Sequence, residues 1–312
     1  MKTTKKNIRT PRAVVFGGAG FLGSHVADAL TENGYEVKIF DLKPSFYLRG
    51  DQVMTVGDIQ NPKAVEGAVK DCDYVYNFAG FANLDDAATK ALDTAQLNII
   101  GNINILNAIE KAGTVKRYIY ASTIYVYSEK GGFYRCSKQA AELYIEEYAR
   151  RHDVSFTILR YGSLYGPRAD SKNSIHKYIK QALTSGAITC TGSIEGVRDY
   201  VHVRDAANLS VKILEKQFSD KHIIISGLHP IKFREMILIL EEILDRKVNV
   251  ITTKEKSPAH YDYTPYSFAP KIGYKLTNNM YIDMGQGLLE CIHEIKENEL
   301  LLNDPEIVKV LV

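Results

Sequence analysis

The stretch Val14-Val15-Phe16-Gly17-Gly18-Ala19-Gly20-Phe21-Leu22-Gly23 decides the fold of this chain. Val14 to Phe16 close a short apolar strand. Gly17, Gly20 and Gly23 follow at three-residue spacing, and an apolar helical pattern runs over 21–33 until Gly34 stops it. A glycine turn lets backbone amides approach a pyrophosphate, and the helix N-terminus behind it adds favourable partial charge. Gly23 lets that helix pack tightly on the sheet. A glycine triplet alone also occurs in ordinary turns. Here it stands at the head of the chain, and the next strand, Tyr35-Glu36-Val37-Lys38-Ile39-Phe40, ends in Asp41. A carboxylate at that point accepts hydrogen bonds from both adenosine ribose hydroxyls and repels a 2'-phosphate. The pattern therefore predicts NAD rather than NADP, with Lys43 softening the preference without reversing it. The plain alternative for Asp41 is a turn residue at a strand end.

Bulk properties narrow the class. The 312 residues suffice for one large domain or two lobes, and 45% hydrophobic with 24% charged residues is ordinary for a soluble globular enzyme. A net charge of +2 gives no reason to expect nucleic acid. The basic start (Lys2, Lys5, Lys6, Arg9, Arg12) reads as a solvated tail without the apolar run of a secretion signal. No segment is apolar for long enough to span a bilayer, so a cytoplasmic protein without a membrane partner is expected. Cys72, Cys136, Cys190 and Cys291 have neither metal-like nor redox-pair spacing and fit a reducing compartment. The eight histidines are scattered, so no metal is expected.

Further along, a strand over 52–56 leads into Gly57-Asp58-Ile59. An acid there can meet an adenine amino group across the crevice; a helix N-cap is the alternative for Asp58. Asn61-Pro62 opens a helix to about 69, with proline tolerated in the first turn. A strand over 73–78 ends in Asn77-Phe78-Ala79-Gly80, small residues that permit close approach to a diphosphate and ribose. Then come a long helix over 93–112, a strand over 117–121 with Ser122-Thr123 after it, a helix over 134–151 and a strand over 154–160. This alternation predicts a Rossmann-type α/β fold, a doubly wound parallel sheet with right-handed crossovers. Beyond Gly166-Pro167 the regularity weakens. Helices over 174–185 and 203–217, strands over 187–191 and 222–226, and an amphipathic segment over 231–244 precede a loop-rich stretch over 252–280 and a closing helix over 285–297. The expected division is 1–166 as the NAD-binding domain and 167–312 as mainly a smaller, interleaved substrate-binding lobe, with about 198–226 returning to the sheet.

Tyr134 and Lys138 share one face of their predicted helix. A free tyrosine, with a pKa of about 10, is a poor base near neutrality. A nearby ammonium and a positive nicotinamide ring both favour the phenolate, and bringing it to neutrality takes roughly 4 kcal/mol. Thr123 ends the preceding strand and faces the same cleft. The Tyr-x-x-x-Lys spacing is common on helix surfaces; it gains weight after a dinucleotide-binding unit and a strand-end Ser-Thr.

These motifs resemble the extended short-chain dehydrogenase/reductases, in particular the nucleotide-sugar epimerases and dehydratases, over nearly the whole chain. The likeness rests on the glycine turn, Asp41, Asp58, Asn77-Phe78-Ala79-Gly80, Asn98 in its helix, Ser122-Thr123 with Val126-Tyr127, and Tyr134 with Lys138. It continues through Leu159-Arg160-Tyr161, Tyr165-Gly166-Pro167-Arg168 and Arg198-Asp199-Tyr200-Val201-His202-Val203. The resemblance implies that Tyr134 is the general base, that Lys138 tunes it and holds the nicotinamide ribose, and that Thr123 hydrogen-bonds the sugar oxygen. It implies cofactor contacts from Gly17, Gly20, Phe21, Leu22, Asp41, Asp58 and Ile59, and from Ala79, Gly80, Asn98, Ser122 and Tyr161. Substrate contacts are implied for Thr123, Ser163 and Arg198, the last through the fork of its guanidinium on a diphosphate; a salt bridge to Asp205 is its alternative. The family's long helices often pair into a homodimer, although apolar faces on 93–112 and 134–151 equally suit an ordinary core.

Departures sharpen the expectation. Dehydratases of this family carry Asp-Glu after the active-site threonine, where this chain has Ile124-Tyr125. Ser163 stands where many 4-epimerases have an asparagine. Cys136 lies between Tyr134 and Lys138 and should point away from their face. The expected activity is NAD-dependent oxidation at C4 of a nucleotide-diphosphate sugar, as a 4-epimerase or 4-dehydrogenase in surface polysaccharide synthesis. The chain also resembles enzymes acting on GDP-linked heptoses. A 4-keto-sugar reductase and a non-catalytic dinucleotide-binding scaffold are the alternatives.

Overall fold

The computed structural model describes residues 9–253, apart from 192 and 229, together with residue 265. These lie within the compact unit Met1–Ala269. The expected helix over 285–297, Cys291 and nearly all of the loop-rich stretch over 252–280 fall outside the described residues. The chain begins with β1 (Arg12–Phe16), α1 (Phe21–Glu32), β2 (Glu36–Asp41), β3 (Gln52–Val56), α2 (Pro62–Val69) and β4 (Tyr74–Asn77). It continues through α3 (Leu84–Ala87), α4 (Ala91–Ala95), α5 (Gly101–Ala112), β5 (Arg117–Thr123), α6 (Gly132–His152) and β6 (Phe156–Tyr161). The later part holds β7 (Ser163–Tyr165), α7 (Ser174–Ser185), β8 (Ala187–Thr191), β9 (Val197–Arg198) and β10 (Tyr200–His202). After these come α8 (Val203–Lys212), β11 (Lys221–Ile225), β12 (Ile231–Lys232), α9 (Phe233–Leu244) and β13 (Asn249–Thr253).

Seven strands form one parallel sheet in the order β11-β6-β5-β4-β1-β2-β3. This is the expected Rossmann-type doubly wound fold. Alternate residues of a strand face opposite layers, and both faces of β1 are buried. Val14 and Phe16 pack among Val65, Ile105, Ile109 and Ile145 of α2, α5 and α6. Ala13 and Val15 pack among Val26, Leu30, Ala206 and Ala207 of α1 and α8. A separate small core joins Ala182, Ile188, Cys190, Phe233, Ile237 and Val248. Strand addition reverses between β1 and β4, which opens a crevice at their C-terminal ends.

Three elements differ from the sequence reading. The helix expected over 93–112 is interrupted by a π-helical turn at Gln96–Ile100, between α4 and α5. That turn carries Asn98 inward, where it is 2% exposed. The strand expected to stop at 121 runs on through Thr123. The helix expected over 203–217 ends at Lys212, and a 3-10 turn follows at Lys216–Phe218. There the Arg117 guanidinium donates to the carbonyls of Ile213 and Glu215, so a side chain, rather than a further helical turn, satisfies them.

The glycine turn sets the spacing of the first crossover. Gly17 has φ +76°, and a Cβ there would stand 2.5 Å from the Ala79 amide nitrogen. At Gly23 a Cβ would stand 2.1 Å from the Gly17 carbonyl oxygen. That obstacle is backbone and cannot rotate away. Gly23→Ala is expected to lower stability by about 1–3 kcal/mol through overpacking, read as an earlier midpoint in denaturant unfolding.

Candidate active site

The crevice is a cleft of about 520 Å³. One end is bounded by Asp41, Leu42, Gly57 and Asp58, the middle by Gly17, Gly20, Ala79 and Gly80, and the far end by Ser122, Thr123, Tyr134 and Lys138. Gly20 precedes α1 and caps it without a side chain, so the first amides of the helix are left to the cleft. Asp41 holds the turn from β2: its carboxylate accepts the Ala19 amide at 3.0 Å and the Lys43 amide at 3.3 Å. Asp58 accepts the Gln60 amide at 2.8 Å, while the N-cap of α2 is Asn61, not Asp58. The cleft thus combines an acid at one end, a cradle of backbone amides and glycines in the middle, and a tyrosine–lysine pair at the other. A dinucleotide needs that sequence of chemistries, and the residues fit NAD.

At the far end, α6 is held against the last three residues of β5. Tyr134 hydrogen-bonds the Thr123 hydroxyl. Lys138 Nζ donates to the Ala121 carbonyl at 2.8 Å. The Glu142 carboxylate accepts the Ser122 hydroxyl. Tyr134, Lys138 and Glu142 recur at one-turn intervals, so one stripe of α6 makes all three bonds. Burial pushes the Tyr134 phenol up to about 12, with the Thr123 bond pulling the other way. Burial pulls the Lys138 amine down to about 8, against an upward pull from Glu142. The nitrogen of Lys138 stands 5.9 Å from the Tyr134 ring centre and 4.7 Å from that of Tyr120. In the protein alone, burial is the larger influence on the Tyr134 phenol; the phenolate expected from the sequence draws on the positive ring of the cofactor as well as on Lys138. Bringing Tyr134 from about 12 to neutrality takes about 7 kcal/mol rather than 4.

Of the residues expected at the site, the cleft also brings in Phe21, Leu22, Ile59 and Tyr161. Asn98 does not line it. Its amide spans Phe81, accepting the Phe81 N–H at 2.6 Å and donating to the Phe81 carbonyl at 3.0 Å, and reaches Ser137 at 2.9 Å. Asn98 therefore braces the loop after β4 instead of facing the cleft. Ser163 and Arg198 lie outside the cleft as well. Ser163 sits in β7, paired with β10, and Arg198 sits in β9, paired with β12 and electrostatically coupled to Tyr178 and Cys190. Ile124 and Tyr125 are buried with Ala87 beside Tyr134. The Tyr125 ring meets that of Tyr134 edge-on at 6.4 Å. Cys136 is exposed. Sequence reasoning missed Glu142, and with it the role of Arg160, which grips the carboxylate through Nε at 3.1 Å and Nη2 at 2.6 Å and leans on the Tyr127 ring. The signal was present, since Glu142 continues the Tyr134–Lys138 interval. Among the described residues no group of three or more His, Cys, Asp or Glu could hold a metal ion, and no helix is long and apolar enough to cross a membrane.

Comparison with known proteins agrees with this geometry. Residues 13–226 match the NAD dependent epimerase/dehydratase family. A Methanocaldococcus jannaschii protein provisionally named a UDP-glucose 4-epimerase is 27% identical, covering 91% of this chain and 98% of its own length. The UDP-glucose 4-epimerase of Thermotoga maritima, crystallised with UDP-glucose, superposes with a TM-score of 0.75 at 26% identity, covering 82% of this chain and 90% of that one. The UDP-glucuronic acid 4-epimerase of Bacillus cereus, crystallised with UDP-glucuronic acid and NAD, shares the fold with a TM-score of 0.76 at 24% identity over 84% of this chain and 95% of its own. The chain belongs to the NAD dependent epimerase/dehydratase family, within the extended short-chain dehydrogenase/reductases that use NAD as cofactor.

Proposed function

We propose that this enzyme oxidises C4 of a nucleotide-diphosphate sugar and returns the hydride to the opposite face, as a 4-epimerase; release of the keto sugar would make it a 4-dehydrogenase. The observation that carries the reading is the Tyr134 hydroxyl bonded to Thr123 at the cleft wall, with Lys138 one turn along. Thr123 hydrogen-bonds the reacting sugar oxygen and Tyr134 takes its proton. Lys138 supplies positive charge beside the phenolate and binds the nicotinamide ribose. Bound NAD supplies the hydride acceptor and a positive ring. Gly17, Gly20 and the α1 amides hold the diphosphate, and Asp41 holds the adenosine ribose. Ile124 and Tyr125 lack the carboxyl pair that dehydratases of this family carry for loss of water, and their burial beside Tyr134 supports oxidation without dehydration.

In this reading residues 1–166 bind NAD and 167–312 mainly bind the nucleotide sugar, with about 198–226 returning to the sheet. Arg198 engages the substrate diphosphate, and Ser163 lies near the sugar. Exposed apolar residues on the long helices, including Leu92 at 70% and Leu143 at 65%, support a homodimer built on them. A Haloferax volcanii relative, 26% identical over 74% of this chain, is named a low-salt glycan biosynthesis protein, which supports a role in surface polysaccharide synthesis.

Mass spectrometry after incubation with NAD and a panel of UDP-, GDP-, CDP- and dTDP-sugars is expected to show an isomer of unchanged mass. Loss of two hydrogens identifies the dehydrogenase, and loss of water refutes the argument from Ile124 and Tyr125. Tyr134→Phe is expected to lower turnover by about 10²–10⁴-fold, with NAD affinity retained in calorimetry. Ultraviolet difference titration of the wild type against Tyr134→Phe should show the phenolate appearing well above the ordinary tyrosine value in the free protein. Added NAD should bring that midpoint down, because a cation favours the phenolate, and neutral-ringed NADH should move it less.

A further inference from the structure

We propose that Glu142 is a positioning residue of this site, whose buried carboxylate, one turn beyond Lys138 on α6, keeps Lys138 in its ammonium form. The inference rests on reading Tyr134 and Lys138 as the acid–base pair. Lys138 is 5% exposed, and its immediate partners are the Ala121 carbonyl and the Tyr120 ring face. Both suit an ammonium, yet neither carries a full charge. Desolvation draws the amine towards its neutral form, and a neutral amine gives a phenolate no charge to rest against. Glu142 is buried one turn along the same stripe of α6 and is bonded to Ser122, next to the Ala121 carbonyl that holds Lys138, so it is the anion placed to oppose this desolvation.

The surroundings of Glu142 fix its own charge. Around it stand Lys138 from α6, Tyr120 and Ser122 from β5, Arg160 from β6 and His222 from β11; Arg160 in turn donates to Tyr127, at the end of the 3-10 turn Ile124–Tyr127, and His222 meets Glu146 of α6. Burial would push the carboxyl up. The nearby His222 ring and hydrogen bonds from Arg160 and Ser122 outweigh burial and hold it below the usual range. Glu142 therefore remains an anion through neutrality, while Lys138 has been drawn close to it. Arg160 acts here as the lock on Glu142: its two-pronged grip keeps the carboxylate charged. His222 Nε2 meets Glu146 at 2.8 Å, and its Nδ1 stands 3.6 Å from Glu142, which closes the solvent side of the cluster.

Competitive labelling of lysine amines with acetic anhydride across a pH series, read by peptide mass spectrometry on the whole chain, reports the midpoint of Lys138 without needing a substrate. In Glu142→Gln that midpoint is expected to fall by about one pH unit, a tenfold loss of proton affinity. In Glu142→Asp, which keeps the charge, it should stay near the wild-type value. Glu142→Gln leaves Arg160 unpaired. Glu142→Gln with Arg160→Met removes the buried pair together and should show a fall in the same direction, smaller because a cation leaves with the carboxylate. An unchanged midpoint in either Gln variant, or an equal fall in Glu142→Asp, overturns the proposal. Full turnover of UDP-glucose by Tyr134→Phe would instead remove the acid–base reading and leave the labelling result on Lys138 standing.

Discussion

One stripe of α6 against the end of β5 sets the geometry of the site. Thr123, Ala121 and Ser122 are consecutive in the strand and are tied to Tyr134, Lys138 and Glu142. The helix repeats every 3.6 residues, so such a stripe stays over one strand only if the helix crosses it at a fixed angle. A small rotation of α6 would stretch all three bonds together. The hydroxyls and the ammonium are therefore positioned by the packing of a whole helix, with Ala141 and Ile145 buried beside the stripe, rather than by a loop. The glycine turn, the crevice and the Asn98 brace are all arranged around that fixed edge.

The same packing carries an electrostatic cost. Taking a phenol and an ammonium out of water favours their neutral forms, and the protein alone leaves Tyr134 near 12 and Lys138 near 8. Both are displaced away from a phenolate–ammonium pair. In the proposed reading, cofactor charge and the Glu142 carboxylate would both work against that displacement.

Much of this was legible in the chain, for physical reasons that differ by element. The glycine spacing, Asp41 and the Tyr134–Lys138 interval follow from local rules: a turn needs glycine, a strand end presents its last side chain, and a helix repeats. Asp41, Asp58, Tyr134 and Lys138 therefore fell at the cleft. Asn98 was expected to contact the cofactor because the family resemblance implied it. The π turn that aims it at Phe81 comes from tertiary packing and leaves no periodic signature. Glu142 was overlooked because a glutamate on a long helix looks solvated; the pairing of Arg160 with Ser122, which brings both to its carboxylate, comes from the sheet and not from the helix. Arg198 and Ser163 belong to short ribbons whose pairing depends on distant segments, which no local pattern encodes.

Arg117 bears on the order in which the chain can assemble as it is made. It opens β5 near the middle of the sheet, is 7% exposed, and directs its guanidinium to the Ile213 and Glu215 carbonyls and the Ser219 hydroxyl. Its partners are synthesised some hundred residues after it. Until they leave the ribosome, the central strand carries a cation that the closed sheet has no means to satisfy. The sheet itself is completed only by β11, the edge strand that pairs with β6 beyond those partners. Division of the chain between β6 and α8 would separate the buried Arg117 guanidinium from the carbonyls that accept from it.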